Sequence, residues 1–188
     1  MAIDKEMLLP EESFTDNMID RQYIISPLKF LILNTLSFGG YSVWWIYSVW
    51  RFLIQKKNSN ANAAIRTVFE IVYFIPRSYQ ILKLAKDKGY TRTYVPVLLF
   101  ILYFLALLSA MTPPPMFLLG SLSGLFLVQP LMAFNFVLSK SPELDVVVDS
   151  KLSVIEIFIV IIGGVLWLLL MIAILSMMFL QGGSGYMQ

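Results

Sequence analysis

The sequence predicts an all-α integral membrane protein: a bundle of four transmembrane helices with one kinked amphipathic helix at the membrane interface. Three observations predict it. Of the 188 residues, 58% are hydrophobic, where a soluble domain has about 45–50%. Several apolar runs reach the ~20 residues needed to cross a ~30 Å hydrocarbon layer. The charges collect between these runs instead of being scattered through them. Mean hydropathy is +0.75. There is no cysteine and no histidine, which excludes disulfides, thiol nucleophiles, Cys/His zinc sites, axial haem histidines and a Ser-His-Asp triad. The opening Met-Ala-Ile-Asp-Lys-Glu has no basic region before an apolar core, so no secretory signal is expected.

Residues 1–25 read as an acidic polar tail, with Asp4, Glu6, Glu11, Glu12, Asp16 and Asp20 against Lys5 and Arg21. Such a segment is either a mobile tail or a short helix that docks on a partner or on the basic zone. The membrane domain is expected over 26–180. Its first span, about 28–53, opens with Ser26 as N-cap and Pro27 at the first helical position. Trp44, Trp45 and Trp50, with Tyr41 and Tyr47, suit the lipid–water boundary. Gly39 and Gly40 allow close helix packing or a kink. A re-entrant hairpin broken at this pair is the alternative. The apolar run on both sides of it favours one helix. Asn34 is a polar intramembrane candidate, as a bond to a neighbouring helix or as a path lining.

The stretch from Arg51 to Arg92 is strongly basic. Arg51, Lys56, Lys57, Arg66, Arg77, Lys83, Lys86, Lys88 and Arg92 stand against Glu70 and Asp87, a net +7. Within it a helix is expected at about 63–88, with Asn62 as N-cap and Gly89 as the stop. Ile65, Val68, Val72, Ile75, Tyr79 and Leu82 form its apolar stripe, and Arg66 with Glu70 is an i,i+4 pair. Central charges cost roughly 2.5–3.5 kcal/mol each on insertion scales, and Pro76 interrupts the ladder. An interfacial helix is therefore favoured over a polar-lined fifth span.

The second and third spans, about 94–111 and 116–138, flank Pro113-Pro114-Pro115. Ala106 and Ala110 on one and Gly120 and Gly124 on the other predict a closely packed hairpin. Gln129 and Asn135 are further polar candidates. A polar loop follows, and Ser153 with Glu156 forms a capping box opening the last span, about 153–180. Gly163 and Gly164 mark another close contact. Residues 181–188 read as a flexible end. Lysine and arginine in short cytoplasmic loops set the orientation. With four spans this places the +7 zone and the Lys140–Lys151 loop inside and both termini outside.

Two blocks carry a resemblance. One is Ser26-Pro27-Leu28-Lys29-Phe30 with Leu36-Ser37-Phe38-Gly39-Gly40-Tyr41, Trp45-Ile46-Tyr47 and Trp50. The other is Pro142-Glu143-Leu144-Asp145 and Asp149-Ser150-Lys151-Leu152, leading into Gly163-Gly164-Val165-Leu166-Trp167. Over Tyr23 to Ile174 the chain resembles a family of small, uncharacterised bacterial multi-pass membrane proteins. Gly40 stands where that pattern has a larger apolar residue. The resemblance implies a bacterial cytoplasmic (inner) membrane location, and no catalytic residue or cofactor comes with it.

The expected function is a non-enzymatic membrane subunit: an anchor, sensor or scaffold. It would self-associate, bind anionic lipid headgroups or dock a cytoplasmic protein partner on the basic face. The alternative is one subunit of an oligomeric channel or transporter, lined by Asn34, Gln129 and Asn135. No cofactor, metal or nucleic acid is expected.

Overall fold

The computed structural model describes residues 19–113, 116–149 and 151–183. The acidic tail up to Met18, Pro114 and Pro115 of the turn, Ser150 and the chain end beyond Gly183 lie outside the described residues. The chain is mostly helical. In order come β1 (Gln22–Ile25), α1 (Pro27–Leu36), α2 (Gly40–Lys56), α3 (Ala63–Val68), α4 (Glu70–Asp87) and α5 (Pro96–Ser109). A 3-10 helix (Met116–Leu127) then runs into α6 (Val128–Ser139), and β2 (Val146–Asp149) and α7 (Val154–Gly183) complete the order.

Among the described residues, two helices are long and apolar enough to cross a membrane: Met116–Ser139, continuous through the 3-10 stretch, and Val154–Met177. The four-span expectation is corrected first at 28–53, which is not one helix. Ser26 caps α1 through Lys29 N at 3.1 Å, with Pro27 in the first turn, as expected. The helix then stops at Leu36, because Phe38 (φ 50°) and Gly39 (φ 92°) enter the left-handed region. A new helix starts at Gly40. Ser37 Oγ accepts the amide of Tyr41 (2.9 Å) and Asn34 Oδ1 that of Ser42 (3.2 Å), so side chains from the end of α1 cap α2. The apolar run could not reveal this break, because a left-handed turn leaves hydropathy unchanged.

The two helices pack against each other and return the chain to its starting side. Asp20, ahead of α1, is bonded by Arg51 and Gln55 at the end of α2. The alternative of a hairpin broken beside Gly39 and Gly40 is the observed one. The expected span 94–111 is the 14-residue α5, about 21 Å long at 1.5 Å per residue. It pairs with the 3-10 helix. There a Cβ on Gly120 would lie 2.7 Å from Ala110 Cβ and 3.4 Å from Ala106 O, so the expected close approach holds at that glycine. Gly124 instead faces the Asn34 side chain of α1. Gly163 is pressed against the Leu36 carbonyl, whereas Gly164 faces open space. Helix α7 continues through Gly183, so the flexible end does not begin at Gln181.

The segment before α1 is not all tail, and the loop after α6 is not all loop. Gln22–Ile25 pairs in parallel with Val146–Asp149, Gln22 opposite Val146 and Ile25 opposite Asp149. β-branched valines suit the pleat, but only the fold supplies the partner strand. The pairing puts both segments on the same side. Lys88 bonds the Lys140 carbonyl at 3.0 Å, and Lys57 bonds Gln80 at 2.7 Å. The starts of α1 and α7 and the ends of α2, α4 and α6 therefore share one charged end. The Ser37–Gly39 turn meets Ala110, Phe117, Gly120 and Trp167 at the opposite end. No charged residue occurs in 30–50, 93–139 or 157–183, so that end is uncharged.

Trp45 and Trp50, expected at the lipid boundary, are buried in the core, while Trp44 and Tyr47 remain partly exposed. Trp45 meets Phe30 edge-on at 5.6 Å and Phe134 at 6.5 Å. Large apolar side chains point outward all around this core, on α1, α2, α5, the 3-10 helix and, above all, α7.

Alanine at Gly39 should lower stability by about 1–2 kcal/mol, because the residue must stay left-handed. Gly40→Ala should change it by under about 0.5 kcal/mol, since the new methyl meets Ser37 at an ordinary 3.6 Å. Unfolding midpoints in mild detergent test the contrast.

Candidate functional site

The expected helix at 63–88 is two helices, divided at Phe69, and it sits opposite to expectation. Asn62 caps α3, accepting from Ala64 N (2.8 Å) and Ile65 N (3.3 Å), and Gly89 (φ 90°) ends α4. The apolar stripe faces outward: Val68 is 79% exposed and Val72 67%. The charged side faces inward, and Arg77 is fully buried. Glu70 does not pair with Arg66. It pairs with Arg77 at i,i+7, with Nε and Nη2 at 3.0 and 2.5 Å from Glu70 Oε1. This corrects the assignment of Arg77 to an exposed basic face. A continuous helix would set Arg66 beside Glu70, but the break at Phe69 rotates the two apart.

The buried guanidinium is held by faces as well as by charge. Arg77 Cζ lies 5.1 Å from the Trp45 ring centre and 5.4 Å from that of Phe74. Arg66, on the other helix, lies 4.7 Å over Trp50. Ring quadrupoles attract desolvated cations, which explains why two tryptophans are drawn into the core. Arg77 Nη1, Glu70 Oε2 and Ser78 Oγ have no hydrogen-bond partner within the protein. Next to them the Tyr94 hydroxyl donates to the Ser78 carbonyl at 2.9 Å.

A second polar cluster ties the two sequence blocks together. Lys29 Nζ donates to Asp149 Oδ2 (2.8 Å), Glu156 Oε2 (2.9 Å) and the Lys151 carbonyl (2.8 Å). Glu156 does form the expected capping box, with Ser153 N at 2.8 Å and its own amide on Ser153 Oγ at 3.3 Å. It also accepts from the Tyr41 hydroxyl at 2.8 Å. Sequence reading found the cap and missed Lys29, Tyr41 and Asp149. The available signal was their presence in the two resembling blocks.

These contacts set the surface charge. Among the described residues, Asp20, Glu70, Glu143, Asp145, Asp149 and Glu156 each face a lysine or arginine of the same chain, and only Asp87 does not. Among the same described residues, Lys56, Lys57, Arg66, Lys83, Lys86, Arg92, Lys140 and Lys151 face no carboxylate, so the described part of the charged end carries a surplus of cations. Outside the helices, Asp145 raises the Arg21 pKa, chiefly by hydrogen bonding. Glu143 is held below the ordinary carboxylate range, first by its own backbone amide and then by Lys88.

The three polar candidates are not brought together. Asn34 is buried at the α1–α2 junction, Gln129 is exposed, and Asn135 donates to the Ile25 carbonyl at 2.7 Å. Among the described residues no group of three Asp or Glu side chains could hold a metal ion. No protein-family model, curated protein or solved structure matches this chain.

Removing one partner of the buried pair leaves the other charge stranded. Glu70→Leu should lower stability by about 3–5 kcal/mol, and Glu70→Leu with Arg77→Met should restore most of the loss. Denaturant unfolding of the two variants in micelles measures the coupling. Additive losses would mean that the pair is not coupled.

Proposed function

We propose that this chain is a non-enzymatic integral membrane anchor. Its uncharged end is embedded in lipid, and its cationic end docks on anionic headgroups and holds an acidic cytoplasmic partner. The observation that carries the reading is the division of charge. Nearly every described carboxylate is paired with a lysine or arginine of the same chain, some buried and some at the surface, the spare cations share one end, and the other end has none. Anionic headgroups attract such a cap with about 1 kcal/mol per Lys or Arg near the surface.

The outward-facing apolar surface supports the same reading. Isolated soluble chains rarely expose contiguous apolar patches beyond a few hundred Å². Here Val154 is 70% exposed, Ile155 73% and Leu168 60% along a single helix. Lipid makes that exposure harmless.

The arrangement in the bilayer differs from four simple crossings. In this proposal α1–α2 enters and returns as a re-entrant hairpin, α5 and Met116–Ser139 form a second hairpin, and α7 crosses. β1, the segment 57–95 and the loop 140–153 then share the cytoplasmic side, satisfying the positive-inside preference for all three at once. The four-crossing alternative would separate β1 from its partner strand. The inner membrane of a bacterium is the proposed location, following the resemblance of the two sequence blocks.

The absence of cysteine makes the topology directly testable. Single substitutions Tyr23→Cys, Asn60→Cys and Thr91→Cys should all label from the cytoplasmic face of oriented vesicles. Labelling of Tyr23→Cys from the side opposite to Asn60→Cys would overturn the hairpin. Changing Lys56, Lys57, Lys83 and Lys86 together to glutamine should weaken pull-down of acidic partners from gentle extracts, with the fold unchanged by circular dichroism. Partner recovery that is unaffected by the four changes would remove the cap from the docking role.

A further inference from the structure

A groove of about 670 Å³ lies between α1, the two strands, Asn135 of α6 and the first turns of α7, beside the Lys29 cluster. That volume lies within the ~300–1,000 Å³ typical of ligand clefts. Its long wall is apolar: Leu28, Ile32, Leu33, Leu152 and Val160. Its mouth is polar, with Lys29, Asp149 and Asn135.

The Lys29 ammonium is fully used here, and free acceptors stand beside it. Each of the three N–H groups of Lys29 is already used, by Asp149, Glu156 and the Lys151 carbonyl. Both oxygens of Glu156 are bonded as well, by Tyr41 on one side and by Lys29 and the Ser153 amide on the other. Asp149 accepts through Oδ2 alone, so its second oxygen is available among the described contacts. Asn135 uses its amide N–H on the Ile25 carbonyl, and its buried Oδ1 has no hydrogen-bond partner among the described residues. Asp149 and Glu156 share the one Lys29 ammonium, and the exposed Lys151 follows two residues after Asp149. Such a mouth suits a cation that carries several N–H donors. The apolar wall suits a hydrocarbon chain, and the groove spans the change from the charged end to the uncharged body.

We propose that this groove binds phosphatidylethanolamine. The acyl chain lies along α1 and α7, the primary ammonium donates to Asp149 and Asn135 Oδ1, and the exposed Lys151 lies beside the phosphate. The site rests on the membrane reading above and adds a specific lipid to it. Phosphatidylcholine has the same charge and no N–H donor. Phosphatidylglycerol has no ammonium to donate to Asp149. Both should therefore bind less well.

Native mass spectrometry of the full chain in micelles tests this. The probes are phosphatidylethanolamine, its N-methyl and N,N-dimethyl forms, phosphatidylcholine and phosphatidylglycerol. Affinity should fall with each methylation, about tenfold over the series, the worth of a charge-assisted hydrogen bond. Asn135→Leu and Asp149→Asn should each flatten the series. Because either change could loosen the fold, the wild-type series decides alone: equal binding of all five lipids, or tightest binding of phosphatidylglycerol, overturns the site. Alkaline carbonate extraction keeps the two readings apart. Release of the chain from membranes sinks the membrane reading and the lipid site with it, whereas retention with a flat lipid series sinks only the site.

Discussion

The Lys29 ammonium closes the molecule. It stands in the first turn of α1 and reaches Asp149 at the end of β2, the Lys151 carbonyl and Glu156 in the first turn of α7. More than a hundred residues separate these groups along the chain. Bringing them together carries a loop-closure cost that grows only slowly with length. Three short charge-assisted contacts on a nearly buried ammonium, with the parallel β1–β2 pair beside it, offset that cost. The result brings the start of α1 to the start of α7. Away from that junction, α7 packs chiefly on α1, and Trp167 stacks on Phe38 in the turn that follows α1.

The same chemistry governs the buried pair. A desolvated arginine is tolerated in a core when a carboxylate and aromatic faces replace its water. Glu70, Trp45 and Phe74 do this for Arg77. An inward charged face and an outward apolar face invert the pattern of a helix in water. In lipid the inversion is the expected arrangement, because polar groups there face the protein interior. The fold thus pairs nearly all its described anions with cations of its own, the Glu70 and Glu156 carboxylates in buried sites, and presents further cations at one end.

Local signals in the chain were legible where the physics is local. The Ser26, Asn62 and Ser153 caps, the Gly89 stop and the small-residue contact of Gly120 with Ala110 each depend on a few neighbouring residues. The turn at Ser37–Gly39 was not legible in the same way. Leu36, Phe38 and Tyr41 prolong an apolar run whether the backbone continues or reverses, so hydropathy could not tell a span from a hairpin. Nor could spacing tell whether Glu70 would meet Arg66 or Arg77, because a break at Phe69 changes which residues share a face.

By itself the sequence determined the helical class, the caps at Ser26, Asn62 and Ser153, the stop at Gly89, and the division of the chain into charged and uncharged stretches. These follow from composition, capping chemistry and hydropathy, which act over one or two turns. Only the tertiary structure decided that the first apolar run folds back, that β1 finds β2, that Trp45 packs on the buried Arg77 and Trp50 on Arg66, and that Lys29 joins Asp149 and Glu156. Each of these depends on groups far apart in the chain, whose meeting is set by the packing of whole elements and not by any local preference.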